Sequence, residues 1–217
     1  MTAPAAAKLL VVDTCLAACQ VGVFEGERLI FGLSEPMERG HQERLAPMAA
    51  EVMAEASLSF SDLDKIVVTV GPGSFTGLRV GLAFAKGLQL ATSAPLAGIG
   101  ALAALAASVG SDGRCAGVID ARRGMVYLQA FENGQPLGEP DVLPAADAAD
   151  RLGAIAPGRW LVAGPGASLL GAAGNVEPIE LAAPTLRALG QLAARAPTAD
   201  DVRPIYLRAP DAKPMVA

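Results

Sequence analysis

Gly71-Pro72-Gly73-Ser74-Phe75-Thr76-Gly77-Leu78-Arg79-Val80-Gly81-Leu82-Ala83-Phe84-Ala85-Lys86-Gly87 is the stretch on which the fold turns. A β-branched run, Ile66 to Val70, leads into it and reads as a strand. The glycines that follow make a loop, and the loop opens directly into a helix. Ser74 stands where its hydroxyl can accept from a first-turn amide, which makes it the predicted cap. Free amides at a helix start can seat an anion, and Gly71 and Gly73 let a ligand approach the backbone. Gly73, Gly77, Gly81 and Ala85 recur every fourth residue and place a stripe of small residues along one side of the helix. Each such glycine costs roughly 0.5–1 kcal/mol relative to alanine, so the stripe implies a closely packed neighbour that offsets the loss. The loop is neither of the common phosphate motifs. Leu78 and Arg79 follow Gly77 where a P-loop needs Lys and Ser or Thr, and Thr76 stands where a dinucleotide fingerprint needs its third glycine.

Around this stretch the chain reads as a pattern given twice. Leu9–Asp13, Ala18–Phe24 and Arg28–Leu33 are expected strands. A helix over about Leu45–Ala56 follows, with Pro47 in its first turn or kinking it. The strand at 66–70, the striped helix, a strand near Pro95–Ile99 and a helix over Ala101–Ser108 complete the first set. Strands at Arg114–Asp120, Met125–Phe131 and Pro136–Leu143 then restart it. A helix over Ala145–Leu152, a strand at Trp160–Ala163, a short helix near Ala167, a strand at Val176–Ile179 and a helix over Pro184–Ala196 end it, with Pro184 suited to the first helical position. Asp13, Phe24 and Glu25 recur as Asp120, Phe131 and Glu132 at a constant offset. Three strands followed by alternating helix and strand, repeated, describe an α/β, two-lobed, actin-like ATPase (ASKHA, ribonuclease H-like) fold of duplicated βββαβα units. The expected lobes are residues 1–100 and 101–196, with the tail 197–217 packed back on the first. A cleft between such lobes is where nucleotides usually bind.

Composition sets limits on function. The 217 residues are 52% hydrophobic and 18% charged, which supplies a sizeable core of small aliphatics. A net charge of −5 argues against a basic face that grips nucleic acid unaided. Cys15, Cys19 and Cys115 form no Cys-x-x-Cys pair and read as reduced, buried thiols. No signal peptide is expected at the amino terminus. Arg79, Lys86 and Pro95 break the apolar stretch 78–109, so no membrane span is expected.

The glycine run resembles the signature of the TsaB (YeaZ) family, the smaller bacterial partner in making threonylcarbamoyladenosine on tRNA. Four more stretches resemble that family in order: Leu10-Val-Val-Asp-Thr14, His41-Gln-Glu-Arg-Leu-Ala-Pro-Met48, Val118-Ile-Asp-Ala-Arg-Arg-Gly-Met-Val-Tyr127 and Pro204-Ile-Tyr-Leu-Arg208. The resemblance implies a cytoplasmic, non-catalytic subunit. Its partners would be the larger paralogue TsaD, which holds the metal and performs the transfer, and the small ATPase TsaE. It would meet tRNA only through that complex, and could pair with itself when alone. An autonomous actin-like ATPase or phosphotransferase is the competing reading.

The candidate residues follow from these two readings. Asp13, Thr14, Gly71, Gly73 and Ser74 read either as a vestigial nucleotide site, expected to hold ATP or ADP weakly and no cofactor tightly, or as an aspartate that satisfies turn amides beside a glycine turn that serves packing alone. Asp120 is the counterpart of Asp13, but Ala121-Arg122-Arg123 follows it where active kinases carry a glycine turn. Arg122 and Arg123 read either as phosphate or carboxylate partners or as solvated turn residues. His41, the one histidine, is expected to make a polar contact at a helix start. The catalytic relative carries two metal-binding histidines at places that fall on Ala101 and Leu105 here, so no metal and no catalytic residue is expected. A partner face is expected from Leu45, Met48 and Val52 on the first helix with Gly77, Leu78, Gly81, Leu82 and Ala85 on the striped one, because the striped helix is apolar nearly all round.

Overall fold

The computed structural model describes residues 6–110, 112–171 and 174–208. The expectations for the extreme amino terminus and for residues 209–217 of the tail lie outside the described residues. β1 (Lys8–Asp13), β2 (Ala18–Glu25) and β3 (Arg28–Pro36) form an antiparallel meander. α1 (His41–Glu55) crosses to β4 (Lys65–Thr69), which runs parallel to β1, and α2 (Phe75–Thr92) crosses to β5 (Leu96–Ile99), parallel to β4. The sheet order is β3-β2-β1-β4-β5. After α3 (Ala101–Ser108) come β6 (Arg114–Arg122), β7 (Met125–Glu132), β8 (Gln135–Pro136), β9 (Asp141–Pro144), α4 (Ala148–Ile155), β10 (Trp160–Ala163) and β11 (Val176–Ile179). Their order is β11-β10-β6-β7-β8, with β9 also pairing with β7. The two sheets thus share one topology, the duplicated α/β arrangement of the actin-like fold. α5 (Leu186–Arg195) ends the regular structure.

The layers explain the sequence pattern. β1 is apolar at every position from Leu9 to Val12 because both faces of its sheet are covered. Leu10, Val12, Val21, Ile66 and Val68 pack with α1 and α2 on one face. Leu9, Val11, Phe24 and Val67 pack on the other face with Ala104 of α3 and Leu189 and Ala193 of α5. α3 also lies along β6, and the far face of the second sheet packs on α4 around Trp160 and Leu152. α5 therefore lies on the first sheet although it follows the second in the chain. Gly190 permits this, since a Cβ there would stand 2.2 Å from the Phe24 ring. The tail closes the edge of β5 through Ala199 N–H to the Leu96 carbonyl at 2.9 Å, and Ile205 N–H reaches the Val70 carbonyl at 2.7 Å.

Several element expectations need correction. The strand expected over Pro136–Leu143 is two pieces, β8 and β9, parted by a segment with Gly138 and Pro140, the latter without an N–H to donate to a ladder. A 3-10 turn, Ala145–Asp147, precedes α4, and the helix near Ala167 is a 3-10 turn of four residues ended by Gly171 at φ 70°. α1 starts at His41, so Pro47 lies in its second turn, on the exposed side. Pro184 precedes the cap of α5, which is Thr185, whose hydroxyl accepts from Ala188 N–H at 3.2 Å.

Candidate functional site

β1 delivers Asp13 to the point where the two sheets face one another, and there the chain's own groups surround it. Asp13 is fully buried. Its carboxyl accepts from Cys15 N–H at 3.0 Å, from the Thr69 hydroxyl at 2.6 Å and from the Gln20 amide at 3.0 Å. The Gln20 amide also donates to the Pro184 carbonyl at 2.9 Å. The Cys15 thiol donates to Thr69 Oγ1 at 2.9 Å, and burial, with the Asp13 charge second, pushes that thiol well above its ordinary pKa. Thr14 is buried too and donates its hydroxyl to the Gly77 carbonyl at 2.7 Å. A buried carboxyl needs its oxygens satisfied, and here three donors of the fold satisfy them.

The glycine loop is closed in the same way. Ser74 N–H donates to the Cys15 carbonyl at 2.8 Å, and the Ser74 hydroxyl caps α2 by accepting from Gly77 N–H at 3.2 Å. The stripe of small residues faces the β1–β2 turn. A Cβ at Gly73 would stand 2.4 Å from the Cys15 carbonyl oxygen, at Gly77 1.9 Å from the Thr14 carbonyl oxygen, and at Gly81 2.5 Å from the Thr14 hydroxyl. Gly71, at φ 101°, is approached by the Ile205 carbonyl. The close neighbour implied by the stripe is therefore the β1–β2 turn of this chain, and one amide of the loop, Ser74 N–H, is already spent on that turn.

The second sheet repeats the device in a looser form. Gly164-Pro165-Gly166 follows β10 as Gly71-Pro72-Gly73 follows β4, and a Cβ at Gly164 would stand 2.2 Å from the Val118 carbonyl oxygen. Asp120 accepts from Arg122 N–H at 2.7 Å, just as Asp13 accepts from Cys15, but it lies at the surface and pairs with the Arg122 guanidinium at 3.3 Å. Arg122 and Arg123 both have left-handed backbone, at φ 64° and 56°.

Between the sheets lies an apolar cluster rather than an open cleft: Cys15 and Leu78 meet Leu102, Leu105, Ile119 and Ala163. Ala101 and Leu105, the places that correspond to metal ligands in the resemblance, are fully buried in it. No group of three or more metal-ligating side chains occurs among the described residues. His41 donates its ring Nε2–H to the Ala18 carbonyl at 3.2 Å. A cavity of about 580 Å³ opens beside the glycine loop, between Gly71, Pro72 and Ala103 on one side and Gln129 and Phe131 on the other. Among the described residues, the one charged side chain lining it is Glu139, an ill-suited neighbour for phosphate.

The residues expected at a partner face are buried within the chain. Leu45, Met48 and Val52 pack on the sheet with Leu82 and Ala85, Leu78 enters the cluster between the sheets, and Gly77 and Gly81 abut Thr14. The outward faces of the same helices carry other residues: Ala46, Pro47, Ala50 and Ala54 beside Gln42, Glu43, Glu51 and Glu55 on α1, and Ala83, Lys86, Gly87 and Leu90 beyond Phe75, Thr76 and Arg79 on α2. Leu90 is 87% exposed. Sequence reasoning also missed Thr69, Gln20 and the second Gly-Pro-Gly. Thr69, a polar residue in an otherwise apolar buried strand, was the available signal for the Asp13 network. The offset recurrence of Gly-Pro-Gly was the signal for the duplicated loop.

Comparison with known proteins bears on what such a chain is. A protein-family model described as TsaD, tRNA N6-adenosine threonylcarbamoyltransferase, matches residues 35–168. An uncharacterized protein of Mycobacterium tuberculosis H37Rv is 36% identical over 212 residues, covering 95% of this chain and 94% of that protein. The tRNA threonylcarbamoyladenosine biosynthesis protein TsaB of Escherichia coli K12 is 31% identical over 167 residues, 73% of this chain and 71% of the relative. The structure of YeaZ from Pseudomonas aeruginosa superposes with a TM-score of 0.77 at 29% identity, covering 93% of this chain and all of that one. A ROK hexokinase from Thermus thermophilus, with a TM-score of 0.51 at 17% identity, shares the fold.

Proposed function

This chain belongs to the TsaB (YeaZ) family of tRNA threonylcarbamoyladenosine biosynthesis proteins, and on that premise we propose that it serves the pathway as a non-catalytic subunit. The observation that carries this reading is the closure of the would-be nucleotide site. Asp13 is surrounded by Cys15, Gln20 and Thr69. The glycine loop is held on the β1–β2 turn, and leucines fill the space between the sheets. An acid that bound a metal–phosphate group would have to break this network first. The transfer is then performed by a TsaD subunit, with TsaE as the accompanying ATPase, and tRNA is met through the assembly, in the cytoplasm. ATP or ADP binds this chain weakly at most. We assign the TsaD contact to the outward faces of α1 and α2, where small residues leave both helices free to approach another pair closely. Residues 1–100 and 101–196 are taken as its two lobes, with α5 of the second segment laid back on the first sheet.

The test is an assay of ATP hydrolysis and of threonylcarbamoyl transfer by the purified chain, with and without TsaD. The chain alone is expected to do neither, and to be required for transfer in the mixture. ATP hydrolysis by the chain alone, lost in Asp13→Asn, would establish the autonomous enzyme instead.

A further inference from the structure

Two stretches far apart in sequence meet at the exposed start of α2. Phe75 and Tyr206 are 39% and 44% exposed, and their ring centroids lie 5.5 Å apart at 38°. Arg79, one turn further along α2, sets its guanidinium carbon 3.8 Å from the Phe75 centroid. Arg208, two residues beyond Tyr206, donates to the Ala121 carbonyl at 3.0 Å and ties the tail to the β6–β7 turn. On that turn the Arg122 side chain is 85% exposed, with Asp120 as its local counter-charge. Left-handed backbone is costly for a residue with a Cβ, yet Arg122 and Arg123 both occupy it at the turn to which Arg208 is anchored.

The chemistry of this patch differs from that of the rest of the surface. The chain carries a net charge of −5, but here Arg79 lies on the Phe75 ring, and Arg208, two residues beyond Tyr206, reaches the turn on which Arg122 pairs with Asp120. The rings are framed by the exposed Ser74 and Thr76 and by guanidiniums. Exposed aromatic rings beside cations are the stacking platforms on which single-stranded nucleic acid binds, because every base has a π-face. We propose that this patch binds unpaired RNA nucleotides, a base stacking on Tyr206 and the flanking phosphates meeting Arg79, Arg122 and Arg208. The choice of RNA rests on the pathway reading above, whereas the patch is a feature of the surface itself. The chain would thus add a direct, weak contact to the grip that a larger subunit supplies.

The experiment measures binding of a fluorescein-labelled, unstructured ten-nucleotide RNA to the purified full-length chain by anisotropy, as salt is raised from a low value. Three phosphate contacts predict that log K falls with log salt with a slope of about −2 for single strands. Tyr206→Ala is expected to weaken binding about five-fold or more, while Tyr206→Phe retains it. Arg79→Ala is expected to weaken binding and to make the slope about 0.7 shallower. Circular dichroism checks that each variant is folded. Wild-type chain that binds no RNA in a salt-dependent way overturns the proposal, as does a Tyr206→Ala chain of unchanged affinity. So does a Tyr206→Ala chain that binds RNA normally but associates less with TsaD in light scattering, which would make the patch a protein contact. None of these readouts involves threonylcarbamoyl transfer, so this proposal and the pathway reading can fail separately.

Discussion

Gly71-Pro72-Gly73-Ser74 and Gly164-Pro165-Gly166-Ala167 occupy the same place in two sheets of the same strand order, yet only the first opens into a long helix. Both loops close on backbone beside them, the first on the turn after β1 and the second on β6 itself. Ser74 N–H reaches the Cys15 carbonyl at 2.8 Å, and Gly166 N–H the Val118 carbonyl at 3.3 Å. Beyond that point they diverge. Ser74 caps the eighteen residues of α2, whereas Ala167 has no hydroxyl and its 3-10 turn ends after four residues. The aspartates beside the loops diverge likewise: Asp13 is fully buried with three donors, and Asp120 is at the surface with an arginine. What the two loops share is close packing of backbone on backbone, and that shared part accounts for their glycines without a bound anion. What distinguishes the first is a polar network locked inside it.

The largest test of this contrast removes the two carboxyls. Asp13→Ala leaves Cys15 N–H, the Thr69 hydroxyl and one Gln20 donor without an acceptor in a dry site. Each orphaned group costs about 1–3 kcal/mol, so a loss of about 3 kcal/mol or more is expected in urea unfolding. Asp120→Ala removes a solvated ion pair and a turn bond and is expected to cost less than about 1 kcal/mol. Equal losses would mean that the two halves are built alike after all.

A second test separates packing from propensity within α2. Gly77→Ala drives a Cβ toward the Thr14 carbonyl oxygen, which is backbone and cannot move aside cheaply, so a loss of about 2 kcal/mol or more is expected. Gly87 lies on the same helix with nothing within 4 Å of its would-be Cβ, and Gly87→Ala is expected to gain about 0.5–1 kcal/mol. Thermal midpoints of the two variants would move in opposite directions. A neutral Gly77→Ala would show that the stripe does not need its close contact with the β1–β2 turn.

The degree to which these features can be read from sequence follows from which atoms make them. Helix Ala101–Ser108 and strand Trp160–Ala163 fall where the sequence places them, because buried side chains define them, and the edge strand Val176–Ile179 follows in step. The striped helix and its Ser74 cap were legible for the same reason. The neighbour of the stripe was not legible. It consists of the carbonyls of Thr14 and Cys15, and a backbone carbonyl leaves no mark in the sequence. The partner-face expectation turns on a related point. Apolar residues on all sides of α2 show that it is buried widely, but Leu78 and Leu82 turn toward two different clusters of this same chain, one between the sheets and one on the first sheet. α5 was foreseen as a helix with a core side, but its amphipathic pattern cannot say which of two sheets receives that side, and Gly190 against Phe24 decides for the first.

The smallest expected effect bears on the difference between the loops themselves. If α2 is long because Ser74 starts it, the hydroxyl should matter in the first loop, whereas Ser168, the residue after Ala167 in the second, should not. Ser74 Oγ accepts from Gly77 N–H at 3.2 Å, and replacing a serine cap with alanine typically costs about 1 kcal/mol. Ser168 contributes its backbone N–H to Glu180 at 2.7 Å and leaves its exposed side chain out of that bond, so Ser168→Ala should stay within about 0.5 kcal/mol of the parent. Amide hydrogen exchange gives the sharper reading. Ser74→Ala should raise exchange at Gly77 and in the first turn of α2 while leaving the 167–170 turn unchanged. A Ser74→Ala chain with unaltered stability and exchange would show that the close packing of Gly73 and Gly77 on the β1–β2 turn holds the helix start without its cap. The long helix would then follow from the small-residue stripe alone.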